Sequence, residues 1–269
     1  MADILEQIVA RKRQELEQQK QQLSFSELAS QVEYRLSHRS CEDTAKRSMR
    51  QSLAGSPSGI IAEFKRKSPS KGWIKEEGRV DVVVPGYEQA GASACSILTN
   101  EYYFGGHLNF IEKVRPMVNL PLLRKEFIVD EYQLLEACMV GADAVLLIAA
   151  DLTVQECKTL ARTSHELGLE TLLEIHQENE LDYLNDCIDM VGVNNRNLGT
   201  FVTQVENSFR LAEKLPADML KVSESGISNA ETVRELRQAG FRGFLIGECF
   251  MKTANPAESL KMFIEQVTR

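Results

Sequence analysis

The chain of 269 residues carries 31 Lys and Arg against 39 Asp and Glu, a net charge of −8, and 43% of it is hydrophobic. That balance supplies a sizeable core and argues against a general nucleic-acid or anionic-membrane surface, while leaving room for a local anion site built from a few donors. No run of about 18 apolar residues occurs and the start, Met1-Ala2-Asp3-Ile4-Leu5-Glu6, has neither the basic nor the apolar part of a signal peptide, so no membrane span and a cytoplasmic location are expected.

Residues 3–22 set Ile4, Leu5, Ile8, Val9 and Leu16 along one helical face, with Gln, Glu, Lys and Arg on the other. A second helix is predicted over 26–36, with Ser24 or Ser26 as N-cap and Glu27 in the first turn. These helices form a leader packed on a body; the apolar repeat is too brief for a coiled-coil arm. Residues 41–57 are polar and rich in Ser and Arg, an ordered loop or a mobile lid.

From residue 60 a strand–helix alternation runs to the end of the chain. Strands are predicted over 60–65, 94–99, 121–126, 143–149, 169–175, 189–194, 219–224 and 243–247. Helical patterns lie between them, at 80–90, 131–140, 154–167 and 229–239, with a last helix over 256–267. Gly91, Gly141, Gly168 and Gly240 end crossovers, where a left-handed residue closes a helix before the next strand. The pattern predicts a single domain: an α/β fold, a (β/α)8 TIM barrel over 58–269, preceded by an N-terminal helical extension and loop over 1–57. An open doubly wound sheet is the alternative. It would open with a glycine fingerprint, and neither G-x-G-x-x-G nor G-x-x-x-x-G-K-[ST] occurs.

In such a barrel the strand C-termini build the site. The first strand starts apolar and ends Glu63-Phe64-Lys65-Arg66-Lys67-Ser68-Pro69-Ser70-Lys71. Glu63 and Lys65 share a face, and an acid and a base there are costly unless paired or used. Ser68-Pro69-Ser70 breaks the strand and offers donors that suit an anion. The third strand places Leu123 and Phe127 on either side of Lys125, a setting expected to lower the lysine's pKa toward use as an acid, with Arg124 and Glu126 turned toward helices. The fifth sets Glu174, on a face with Leu172 and His176, among apolar residues. Asn194 and Arg196 after the sixth suit a carboxylate. Gly226 and Gly247, after the seventh and eighth, permit the close backbone approach of a phosphate site. The six cysteines are scattered with no C-x-x-C, and the four histidines form no H-E-x-x-H, so disulfides and a metal site have little support.

Together these residues resemble the indole-3-glycerol phosphate synthase family over nearly the whole chain, including Ile8-Val9-Ala10-Arg11-Lys12-Arg13 of the leader. The most specific part is Glu63-Phe64-Lys65-Arg66-Lys67-Ser68-Pro69-Ser70. Lys125-Glu126-Phe127, Glu174-Ile175, Asn194-Asn195-Arg196 and Glu224-Ser225-Gly226 follow in the expected order. The resemblance implies a barrel with an N-terminal extension and neither metal nor organic cofactor. It also implies a reaction: 1-(2-carboxyphenylamino)-1-deoxyribulose 5-phosphate closes to indole-3-glycerol phosphate, losing carbon dioxide and water.

By the same resemblance Lys125 is the acid for ring closure and Lys65 or Glu174 assists dehydration. Glu63 is a further acid–base group or a support for Lys65. Ser68, Asn194 and Arg196 are implied to meet the substrate carboxylate, and Ser225, Gly226, Gly247 and Lys65 its phosphate. Glu224 belongs to the implied binding set. Glu248 stands where some members carry serine, so only its backbone N–H is counted. Phe104, Phe127 and Leu198 are implied walls for the aromatic ring. The partner is a small phosphorylated molecule; no nucleic acid or membrane is expected, and the assembly is a monomer, with a weak homodimer as alternative. The chain stops one helix after the eighth strand, so no fused isomerase domain is expected. The rival readings are another phosphate-handling barrel, such as phosphoribosylanthranilate isomerase or a thiazole synthase, and a non-catalytic binding barrel.

Overall fold

The computed structural model describes residues 4–38, 47–197 and 202–269. Among them, eight parallel strands close into a barrel: β1 (Ile60–Phe64), β2 (Ala94–Leu98), β3 (Leu122–Lys125), β4 (Ala144–Ile148), β5 (Glu170–Ile175), β6 (Met190–Asn194), β7 (Leu220–Glu224) and β8 (Phe241–Ile246). Each strand pairs with its sequence neighbours, and β1 pairs with β8 to seal the ring, which excludes the open sheet. Gly91, Gly141, Gly168 and Gly240 have φ of 93°, 82°, 77° and 95°, the left-handed backbone the sequence called for at those crossovers.

Alternation along each strand divides the core in two. Residues such as Ile60, Ala62, Phe64 and Val145 face the surrounding helices, in one large cluster. Ile61, Leu123, Leu146, Leu172, Val222 and Leu245 fill the interior. The interior cluster also takes in Met49 and Leu53, both fully buried, from α3 (Met49–Gly55), the third helix of the chain. This corrects the reading of 41–57 as loop or lid. Residues 47–57 hold a helix N-capped by Ser48, which also donates to Glu170 at the start of β5 (2.5 Å), so α3 plugs the strand N-terminal end, opposite the site. The remainder of that stretch, 41–46, lies outside the described residues.

The leader holds α1 (Ile4–Gln22) and α2 (Phe25–Ser37). Ser24, not Ser26, is the N-cap of α2: it accepts from the Glu27 N–H while Glu27 reaches back to the Ser24 N–H, a reciprocal cap. Helix α1 is tied to the barrel by a deep contact, Lys12 Nζ to Glu126 Oε2 at 3.2 Å, with the Glu126 side chain only 1% exposed. No described helix is long and apolar enough to cross a membrane.

Candidate active site

At the strand C-terminal mouth, the inward positions change from apolar to charged. Below lie Ile61, Leu123, Leu172 and Val222; above them come Glu63, Lys125, Glu174 and Glu224. In the ladder Asn194 is level with Glu224, and Glu174 with Gly192, so residues far apart in sequence stand at one height. Every predicted site residue except Leu198, which lies outside the described residues, lines one cavity of about 190 Å³ at this mouth.

Its centre is a chain of alternating charges. Lys65 Nζ lies 2.6 Å from Glu63 Oε1, and Lys125 Nζ lies 3.4 Å from Glu174 and 3.3 Å from Glu224. The expected lowering of the Lys125 pKa does not occur. Burial does pull it down, but Glu224, Glu174 and Glu63 outweigh burial and hold it above the ordinary lysine value. The apolar neighbours on its own strand were visible in the sequence; the three acids come from other strands. The acids themselves are split. Burial raises Glu174, but Lys125, His176 and an Asn194 Nδ2–H bond (3.0 Å) hold it well below the carboxylate range. Glu63 is likewise held low, burial being offset by Lys65 and Lys125. Glu224 goes the other way: burial, reinforced by Glu174 and Glu63, outweighs Lys125 and pushes its carboxyl up to about 8.

The flanks of the cavity differ in kind. On one side Phe104 and Phe127 pack with ring centroids 6.0 Å apart beside Leu98, Leu146 and Ile148. Ile4, Leu5 and Ile8 of α1 complete that apolar wall. On the other side Ser225 and Gly226 turn after β7 with φ of 67° and 78°, a rare conformation for a serine. A Cβ on Gly247 would stand 2.6 Å from Glu63 Oε1, so only glycine lets the end of β8 lie this close to the charged chain.

The loop after β1 arches over the mouth as a small antiparallel ribbon, Lys67–Ser68 with Gly72–Trp73. Arg66 sits over the Trp73 and Phe110 rings. Arg196 donates to Ser70 Oγ (3.2 Å), and Lys71 pairs with Glu248 (2.5 Å). The Glu248 carboxylate is therefore taken up by a lysine of this loop. Ser68 Oγ is buried with no hydrogen-bond partner among the described residues, although it faces the cavity. A buried hydroxyl left open in a cavity that Arg196 also lines is suited to an incoming acceptor.

The mouth thus combines paired ammonium and carboxylate groups with a polar turn at one end and an aromatic wall at the other. The family model described as indole-3-glycerol phosphate synthase matches residues 5–263. The chain belongs to that family. It is therefore a carboxy-lyase of tryptophan biosynthesis. An indole-3-glycerol phosphate synthase of Bacteroides thetaiotaomicron is 58% identical over 99% of the chain and 100% of its own length. One from Acidithiobacillus ferrooxidans is 39% identical over 97% and 98%. Two solved structures share the barrel. Against 3-hexulose-6-phosphate synthase from Salmonella typhimurium the TM-score is 0.63, at 13% identity, over 78% of this chain and 98% of that one. Against a tryptophan synthase from Pyrococcus furiosus it is 0.58, at 15% identity, over 78% and 97%.

Three features of this end of the barrel were not legible in the sequence. Ile4, Leu5 and Ile8 were assigned to a packing face, which periodicity cannot tell from a site wall. Gly192 drew no attention, yet a Cβ there would meet Glu224 Oε1 at 2.1 Å. His176 was noted only as sharing a face with Glu174, and it stands 3.4 Å from that carboxylate.

Proposed function

We propose that the chain converts 1-(2-carboxyphenylamino)-1-deoxyribulose 5-phosphate to indole-3-glycerol phosphate, carbon dioxide and water at this mouth. The observation that carries the residue assignment is the alternating chain Lys65–Glu63 and Glu174–Lys125–Glu224, buried at one end of the barrel and open to a single cavity.

In this reading the phosphate lies at Ser225, Gly226 and Gly247 with Lys65 beside it, and the carboxylate meets Ser68, Asn194 and Arg196. The aromatic ring lies against Phe104 and Phe127. That pose brings the sugar ketone to Lys125. Attack by the carboxylate-bearing ring carbon on the ketone carbon makes an alkoxide, a far stronger base than an amine. Lys125 therefore gives up a proton to it even from a raised pKa, and a charged lysine stabilises the oxygen as it gains charge. Loss of carbon dioxide restores aromaticity. Dehydration then needs an acid for the departing hydroxyl and a base for a ring proton. Glu224, whose carboxyl is pushed up to about 8, and Lys65 suit the first task; Glu174 and Glu63, held low, suit the second.

The test is a fluorescence assay for indole-3-glycerol phosphate formed by pure protein from the synthetic substrate. The wild-type chain should turn over, and Lys125→Ala should lose about 1,000-fold or more in kcat while still binding substrate. Near-wild-type turnover by Lys125→Ala would remove that lysine from the mechanism. Ligand binding without turnover by the wild type would favour the non-catalytic barrel.

A further inference from the structure

Behind Glu174, on the side away from the cavity, lies a second group of titratable side chains that the mechanism does not use. His176 follows β5, and its ring is largely buried. Nε2 lies 3.4 Å from Glu174 Oε1 and Nδ1 lies 3.9 Å from Glu180 Oε2. The backbone around the ring is fixed from both directions. The His176 N–H donates to Glu180 (2.5 Å), and its carbonyl accepts from Asn207 Nδ2 (3.1 Å), which also donates to the Asn194 carbonyl (3.1 Å). One asparagine thus ties the histidine to the residue that hydrogen-bonds Glu174 from its other flank.

Asp151, in the turn Ala149–Asp151 after β4, belongs to the same group. Both of its carboxyl oxygens are buried with no hydrogen-bond partner among the described residues. A charged carboxylate in that position would be costly, and burial pushes Asp151 up to about 8, with Glu174 adding to the rise and His176 and Arg13 opposing it. The groups facing His176 are Glu174 from β5, Glu180 from the turn that follows, Asp151 from beyond β4 and, further off, Glu224 from β7. Of these, Glu174 and Glu180 are the two that favour the charged form of the ring most.

We propose that His176 is a positioning residue for Glu174, its ring holding the carboxylate at the angle from which Glu174 faces both Lys125 and the substrate. The proposal rests on the reading of Glu174 as an acid–base group, and it adds a group that touches no substrate. Without the ring, Glu174 is held by Asn194 and Lys125 alone and can swing toward the ammonium, away from the reacting carbon. Burial lowers the His176 pKa, but Glu174 and Glu180 more than offset that, so the folded value lies above the ordinary 6.5. The charged ring is therefore present below 6.5 and is lost as pH rises through the folded value.

The test combines kinetics with nuclear magnetic resonance on the full chain. His176→Ala should lower kcat about 10- to 100-fold with KM within about twofold. His176→Asn or His176→Gln, neutral but able to donate one hydrogen bond, should recover part of that loss and should lack the activity step that follows His176 titration in the wild type. Independently of activity, the His176 ring should titrate above 6.5 and fall toward it in Glu174→Gln. An unchanged kcat in His176→Ala, or a ring whose titration Glu174→Gln leaves unmoved, overturns the proposal. Wild-type turnover by Glu174→Gln together with a shifted His176 titration would instead refute the role given to Glu174, leaving the contact intact.

Discussion

Gly192→Ala adds one methyl group and leaves every charge of the site in place. The glycine lies in β6, level with Glu174, and its missing side chain is the space that Glu224 occupies. A Cβ built there stands 2.1 Å from Glu224 Oε1 and 3.4 Å from Leu172, so the carboxyl group must retreat by roughly 1 Å to restore contact distance. It has little room to do so, being 1% exposed and held 3.3 Å from Lys125. Overpacking of this kind costs about 1–3 kcal/mol, which in a chain of this size lowers Tm by roughly 2–10 °C. The catalytic effect should be larger, because a misplacement of about 1 Å near the reacting atoms can cost on the order of 100-fold. The expected result is a folded protein with kcat down about 100-fold and KM changed little. Gly55→Ala serves as the control: it ends α3, nothing lies within 4 Å of its added Cβ, and both parameters should stay at wild-type values. A folded Gly192→Ala with kcat within twofold of wild type would show that the position of Glu224 does not govern the reaction.

Two further outcomes follow from buried charges. Lys12→Met takes the leader's cation from Glu126, which keeps Thr99, Asn100 and the Phe127 N–H as donors. The cost should be about 1–3 kcal/mol by thermal melting, with a raised KM as Ile4, Leu5 and Ile8 loosen over the cavity; an unchanged KM would separate the leader from the site. Asp151→Asn should act through pH. With the folded carboxyl pushed up to about 8 from an ordinary 3.8, the folded state binds more protons than the unfolded one between those values, so wild-type stability declines across that window as pH rises. The variant cannot ionise there, so its Tm relative to wild type should climb from pH 4 to pH 8 and level off above; a constant difference across that range would refute the raised carboxyl.

Much of this molecule is written locally. The eight strands and their crossover glycines follow from apolar runs, a period of 3.6 and left-handed closures, all properties of neighbouring residues. Glu63, Lys65, Lys125, Glu174 and Asn194 could be picked out because a charged or amide side chain at the end of an apolar strand stands out in its own few residues. What tertiary structure decided is how those groups act on one another. Lys125 has Leu123 and Phe127 beside it in sequence and three acidic side chains near it in space, and those acids reverse the direction in which its flanks would move it. The helix over Met49–Gly55 is too short to announce itself in a polar stretch, and the hollow end of the barrel gives Met49 and Leu53 a place to be buried. Gly192 is silent in the sequence for a related reason: its importance is the volume of a side chain 32 positions away, and only the pairing of β6 with β7 brings the two together.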